Sequence, residues 1–440
     1  MTTNPATQTD SIFARPWTQL ILGIICMAAV ANMQYGWTLF VDPIDAKYHW
    51  GRPAIQFAFT LFVFLETWLV PVEGYLVDRF GPRIVVICGA ILVAIAWWLN
   101  SVASSLAALY VAAAIGGIGT GAVYGTCVGN ALKWFPGRRG LAAGFTAAGF
   151  GIGAAITIAP ISTMIATSSY EQAFRFFGLL QGAIVLVAAL GLLVPPASVL
   201  AAAPKRSQSS RSFTPTEVLK SPVFYVMYVM FVLVASGGLV LIANMAPMAK
   251  DLGVAKVPVN LLGITAVAGT FAIKAQRIFD GFGRPFFGWV SDHIGRENTM
   301  AIAFLMGAAA LFLLSRTGTT AVTFVIFSTL YFAVFGEIYS LFPATQGDTF
   351  GGQYATANAG MLYTAKGAGS LLVSFGTALA ASHGWNSVLW TAMCCNILAA
   401  LIGLLVLKPM RVKHFEAIRS AASGAPATRG GAAIPHAPGS

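Results

Sequence analysis

Apolar residues run along this chain in blocks of about 20, set off by short polar or basic turns, and Leu, Ala, Ile and Phe fill the blocks without two-residue alternation. Twelve blocks cover residues 17–40, 53–77, 83–102, 106–134, 139–165, 171–195, 221–247, 258–291, 298–316, 321–348, 354–381 and 385–408. Each is long enough to cross a hydrocarbon core of roughly 30 Å as a helix. Barrel strands would be shorter and would alternate. Transmembrane helices are therefore predicted from one end to the other. Composition agrees, because 57% of the residues are hydrophobic, 9% are charged and the mean hydropathy is +0.76, whereas a water-soluble domain carries about 25% charged residues.

The stretch "PPASVLAAAPKRSQSSRSFTPTEVLKSP", rich in Pro, Ser and base, reads as a linker between the sixth and seventh blocks. The expected organisation is a tail over 1–16, a six-helix bundle over 17–195, a linker over 196–220, a second six-helix bundle over 221–408 and a tail over 409–440. The Gly, Ala and Pro content of that last tail predicts disorder.

The net charge of +11 raises the question of nucleic acid, and the placement of the bases answers it. Of 26 Lys and Arg, 16 fall at the ends and loops on one side of an alternating topology, six at those on the other, and four lie within the spans away from these ends: Lys274, Arg277, Arg284 and Lys366. By the positive-inside rule, both termini and the linker are cytoplasmic, in a multi-pass protein of the cell (inner) membrane. The excess base is topology, and no nucleic-acid partner is expected. No cleaved signal peptide is evident in the first 16 residues. Cys26, Cys88, Cys127, Cys394 and Cys395 sit in apolar blocks without ligand spacing, so neither a metal nor a cofactor is expected.

An internal repeat follows. "GYLVDRFGPR" from Gly74 and "GWVSDHIGRE" from Gly288 share Gly, Asp and Gly at an offset of 214 residues, and "GFTAAGFGIG" matches "GMLYTAKGAG" at an offset of 216. Two halves on one plan, related by an axis along the membrane normal, are a transporter pattern. The G-x-x-x-D-R-x-G-x-R loop resembles the signature loop of the major facilitator superfamily. That likeness implies an all-α membrane fold of twelve transmembrane helices in two pseudo-symmetric six-helix bundles. Asp78 and Arg79, with Asp292 as the counterpart in the second half, are candidate gating residues, placed where a carboxylate can meet a helix dipole or a neighbouring base.

Charges inside the blocks point to function by default. In "KAQRIFDGFGRPFFGWVSD", Arg277, Asp280 and Arg284 are three and four residues apart and stack on one helix face. Gly281 and Gly283 permit close approach and Pro285 invites a kink. Lys366 is the only formally charged side chain between Asp348 and His383. Each cation alone would cost several kcal/mol in an apolar setting. A small dianion between Arg284 and Lys366 would neutralise both, the guanidinium gripping a carboxylate through two hydrogen bonds.

At these residues the likeness narrows. "NMQYGWTLF", "VYGTCVGNALKWFPGRRGLAAGFTAAGFGIG", "GRPFFGWVSDHIGR", "YSLFPA" and the Ala365–Lys366 pair resemble the oxalate/formate antiporter branch of the superfamily, over nearly the whole chain outside linker and tails. The resemblance implies a central cavity in which Arg284 and Lys366 hold carboxylates inside an aromatic cage, with binding roles for Gln34, Tyr35, Tyr124, Tyr339 and Tyr363. Phe150, Phe335 and Tyr363 stand where that branch's best-known exchanger carries Tyr, Trp and Trp. Away from their ends the blocks also hold four acids, Glu66, Glu73, Asp280 and Glu337, which balance the four bases there.

The expected function is therefore a monomeric secondary transporter of small carboxylate anions, such as oxalate and formate, working in a lipid bilayer by alternating access. If the empty site carries unneutralised Arg284 and Lys366, its closure is penalised and antiport results. The alternative is a proton-coupled monocarboxylate symporter, with Glu337 or Asp280 as proton carrier and Arg277 as a further candidate for coupling. An enzyme is not expected, because none of the five histidines lies in mid-block beside a catalytic partner. A channel sits poorly with the duplicated loop.

Overall fold

The computed structural model describes residues 12–196, 199, 208–261 and 264–423. In the first half lie α1 (Pro16–Val30), α2 (Asn32–Tyr35), α3 (Thr38–Tyr48), α4 (Arg52–Trp68), α5 (Val70–Phe80), α6 (Pro82–Val102), α7 (Leu106–Trp134), α8 (Arg139–Thr167) and α9 (Tyr170–Leu190). The short α10 (Pro215–Val218) follows in the linker. The second half holds α11 (Pro222–Asp251), α12 (Ala268–Ile294), α13 (Arg296–Thr317), α14 (Ala321–Phe335), α15 (Ile338–Phe350), α16 (Ala355–Leu371), α17 (Val373–His383), α18 (Trp385–Ile402) and α19 (Lys408–Ser423).

Several passes are broken helices. The first is α1 to α3, the second α4 and α5, the tenth α14 and α15, the eleventh α16 and α17. Pro71 in the first turn of α5 has no N–H to continue the ladder of α4, and the axis bends there by 42°. Among the described residues, nine helices are long and apolar enough to cross a membrane, and the bent pair makes ten. The remaining two passes are α12 and α16–α17. They carry Arg284 and Lys366, so the weakest hydrophobic signal marks the polar interior.

Two stretches differ from the pattern. The block 258–291 was expected as one helix, yet β1 (Pro258–Leu261) pairs antiparallel with β2 (Ile264–Val267), and α12 begins only at Ala268. Val259, Ile264, Thr265 and Val267 favour a pleated strand, and a short apolar run reads equally as helix or strand. At the other end a π-turn over Gly403–Leu407 leads into α19, so the tail expected to be disordered from 409 is helical to Ser423. Residues 424–440, like 1–11 and 200–207, lie outside the described residues.

The halves meet through α5 against α16 and α8 against α12. Both contacts need glycine. A Cβ on Gly144 of α8 would lie 2.5 Å from the carbonyl oxygen of Arg284, and one on Gly74 of α5 would lie 2.8 Å from the Cα of Ala357. These close approaches sit toward the face that carries the linker, and they shut the cavity on that side. Gly144→Val is expected to destabilise this closed arrangement by about 1–3 kcal/mol, the scale of overpacking. The check is thermal unfolding in detergent. An unchanged midpoint would mean that α8 and α12 do not pack backbone to backbone.

Candidate transport site

Lys366 projects from α16 into the space between the halves and is buried. Its ammonium donates to Tyr363 Oη at 2.9 Å, to Gln34 Oε1 at 3.5 Å and to the carboxylate of Glu66 at 3.3 and 3.4 Å. Glu66 comes from α4, in the other half. Arg284 of α12, also buried, donates to Asp280 Oδ2 one turn earlier at 2.6 Å and to the carbonyl of Ala147 on α8 at 2.8 Å. Each cation therefore already holds a carboxylate.

Aromatic rings wall the space between them. Tyr124 stacks on Tyr363 with centroids 4.6 Å apart and meets Phe150 edge-on at 5.5 Å; Tyr35 packs on the same Phe150 at 5.3 Å. Tyr339 meets Tyr363 at 6.4 Å and Phe335 at 6.1 Å. The Arg284 guanidinium lies 4.8 Å from the Tyr339 ring centre, and the Lys366 ammonium lies within 5.1 to 6.0 Å of Tyr363, Tyr339 and Tyr124. Negative ring faces turned toward a cation supply part of its lost hydration. Arg277, two turns earlier on α12, lies over the Tyr35 ring at 4.6 Å.

All seven residues expected at the binding site are thus brought together. The condition attached to antiport, that Arg284 and Lys366 stand unneutralised, is not met in this arrangement, because Asp280 and Glu66 pair with them. Glu337 lies on the turn between α14 and α15, fully buried, and among the described residues neither carboxyl oxygen has a hydrogen-bond partner. Neither cation pairs with it.

On the linker face, three carboxylates close the cavity. Asp78 pairs with Lys133 at 2.5 Å and accepts from the N–H of Ala357 at 3.1 Å, at the start of α16. Asp292 accepts from the N–H groups of Gly140 and Leu141 at 3.1 and 3.0 Å, at the start of α8, and pairs with Arg296 at 2.7 Å. These acids, equivalent in the repeat, each cap an opening helix of the opposite half, where the dipole is positive. Between them the buried Asp348 takes Arg139 and Arg296, each at 2.9 Å, and Gln208 of the linker at 2.8 Å. Arg79, the other gating candidate of this motif, is exposed and lies over the Phe80 ring at 5.4 Å, outside this network.

Glu66, Lys133, Arg139, Arg296 and Asp348 were not singled out for roles from sequence. The signal for Glu66 was an acid deep inside an apolar block. The bases passed as topology charges.

A twelve-pass bundle whose repeated halves close on a buried cluster of charged and aromatic side chains has the plan of a secondary transporter, and a match to the Major Facilitator Superfamily spans residues 20–280. The chain belongs to that family. Within it, the chain is 33% identical to the oxalate:formate antiporter of Oxalobacter formigenes, over 92% of this chain and 95% of that one. It is also 26% identical to monocarboxylate transporter 12-B of Danio rerio, over 67% and 66% of the two chains. A solved proton:xylose symporter superposes with a TM-score of 0.72 at 13% identity, covering 92% of this chain and 98% of its own.

Asp78→Ala removes the cap of α16 and the partner of Lys133. Losing such a cap is worth about 1–2 kcal/mol, roughly 5- to 30-fold in the population open on the linker face. A cysteine placed at Ala359 is expected to be alkylated correspondingly faster in the variant. Equal rates would remove Asp78 from the gate.

Proposed function

We propose that this transporter carries small carboxylate anions by alternating access, in oxalate:formate-type exchange, with the anion held between Arg284 and Lys366 inside the cage of Tyr35, Tyr124, Tyr339 and Tyr363. The observation that carries this reading is that each cation already grips a carboxylate, Glu66 at 3.3 Å and Asp280 at 2.6 Å. A site that accommodates two carboxylates beside two cations has the geometry a dicarboxylate or two carboxylate groups would use. The guanidinium provides planar two-point recognition and the ammonium a compact charge. Similarity to an oxalate:formate antiporter along nearly the whole chain supports the same choice.

The moving bodies are residues 17–195 and 221–408, joined by the linker 196–220. The linker face is assigned to the cytoplasm of a cell (inner) membrane on the bias of Lys and Arg, with both termini on that side. A monomer in lipid is sufficient, since one chain supplies every residue of the site.

A second reading, proton-coupled symport of a monocarboxylate, is favoured by one specific observation. The resident acids leave the empty site without excess positive charge at Arg284 and Lys366, so the empty carrier has no electrostatic reason to stay put. Asp280, bound to Arg284, or the unpartnered Glu337 would then carry the proton.

Lys366→Gln and Arg284→Gln are each expected to lower oxalate exchange in proteoliposomes by at least about 100-fold, the scale of removing one partner of a buried charge pair. Both variants should still insert. Undiminished uptake by either would sink the site assignment.

A further inference from the structure

Glu66 has no assigned role in exchange, yet its surroundings are specific. It lies on α4, three residues before the bend at Leu69, and is fully buried. Close packing of α7 holds that stretch: a Cβ on Gly121 would fall 2.7 Å from the carbonyl oxygen of Glu66. The charged and titratable groups around its carboxylate are Lys366 and Tyr363 on α16, Tyr124 on α7 and Glu73 on α5, with the neutral Gln34 on α2 nearby. Lys366 is the one cation among them, and it belongs to the other half.

The ammonium of Lys366 has three N–H donors, and Tyr363, Gln34 and Glu66 take all three. An arriving carboxylate must therefore replace a partner. Glu66 is the only anionic one, so it is the group that a substrate of like charge competes with. Once displaced, Glu66 would be a bare carboxylate in a water-poor site beside a second anion. A buried carboxylate without a cation neutralises itself by binding a proton.

We propose, resting on the reading that Lys366 binds the substrate, that Glu66 is the resident counter-ion of Lys366 and takes up one proton when the substrate displaces it. In this step the hydrogen bond from the Lys366 ammonium to Glu66 breaks, an equivalent hydrogen bond to a substrate carboxylate oxygen forms, the ammonium keeps its three protons, and a proton from solution adds to Glu66. Net charge at the ammonium and its two carboxyl groups is then unchanged from that of the resident pair by the combined arrival of one negative carboxylate and one proton. Release reverses both events and restores the ion pair across the halves. The empty carrier, neutral at Lys366, can return unloaded, so net uptake accompanied by protons runs beside exchange. Among the described residues, Glu73 and Glu337 are also buried carboxyls but are tied to no cation for which a substrate could compete, whereas Asp280 is tied to Arg284 and is the acceptor the test must separate from Glu66.

The test is proton uptake by the purified, full-length protein on adding oxalate, and separately formate, in weakly buffered solution with a pH indicator, alongside equilibrium binding of the labelled anion. Wild type is expected to take up about one proton per carboxylate bound at Lys366, and its apparent affinity should fall about tenfold per pH unit where Glu66 is ionised in the empty site. Glu66→Gln should still bind the anion, take up no proton, and show an affinity that no longer varies with pH. Binding without proton uptake in wild type would overturn the proposal while leaving the Lys366 site intact. Undiminished proton uptake in Glu66→Gln would also overturn it and would move the acceptor elsewhere. Absence of saturable binding of either anion in wild type would overturn the site reading and this inference together. If Glu66→Gln fails to insert, Glu337→Gln and Asp280→Asn decide together: proton uptake per bound anion retained in both supports Glu66, and its loss in either overturns the proposal.

Discussion

An ammonium group can be held in the dry centre of a membrane protein only if an anion and enough hydrogen-bond acceptors reach it there. Lys366 meets that requirement across the boundary between the two halves, through Glu66 on α4, while Tyr363 and Gln34 satisfy its remaining donors. Much of the local architecture serves this contact. The bend after Leu69 and the glycine packing of α7 position Glu66, and the break between α1 and α3 brings Gln34 and Tyr35 to the cavity. Broken helices are tolerated at membrane depth because their freed backbone groups line the protein interior instead of lipid.

The closed face answers the same problem by other means. Asp78 and Asp292 are related by the internal repeat, and each reaches across to the first turn of a helix in the opposite half. A carboxylate at a helix N-terminus is stabilised by the dipole without needing a full counter-charge. Those caps, the Asp348 cluster and the backbone contacts at Gly74 and Gly144 must all part for the linker face to open. Two kinds of inter-half attraction thus oppose each other, ion pairing at the buried site and capping at the face, and in the mechanism we propose the substrate acts on the first.

Much of this was legible in the sequence. Block lengths gave the passes, the Gly-Asp-Gly offsets gave the two halves, and isolated cations in apolar blocks pointed to Arg284 and Lys366. Glu66 was visible as a charge but not as a partner, since 300 residues separate it from Lys366 and no motif offset links them. Lys133, Arg139 and Arg296 were already accounted for by the charge rule, which says which side of the membrane a base occupies and nothing about its neighbours. Arg79 shares a motif with Asp78, yet one residue of helix turns a side chain by about 100° and carries it from the seam to the outer surface. The β1–β2 hairpin was hidden because a few apolar residues cannot by themselves distinguish strand from helix.

The most direct measurement is an experimental structure of the protein with oxalate bound. Density for one carboxyl group within hydrogen-bonding distance of Lys366 Nζ and the other at the Arg284 guanidinium, with Glu66 turned off the ammonium and the four tyrosines around the ligand, is the expected result. Oxalate located outside the cage, with the Lys366–Glu66 pair undisturbed, would contradict it.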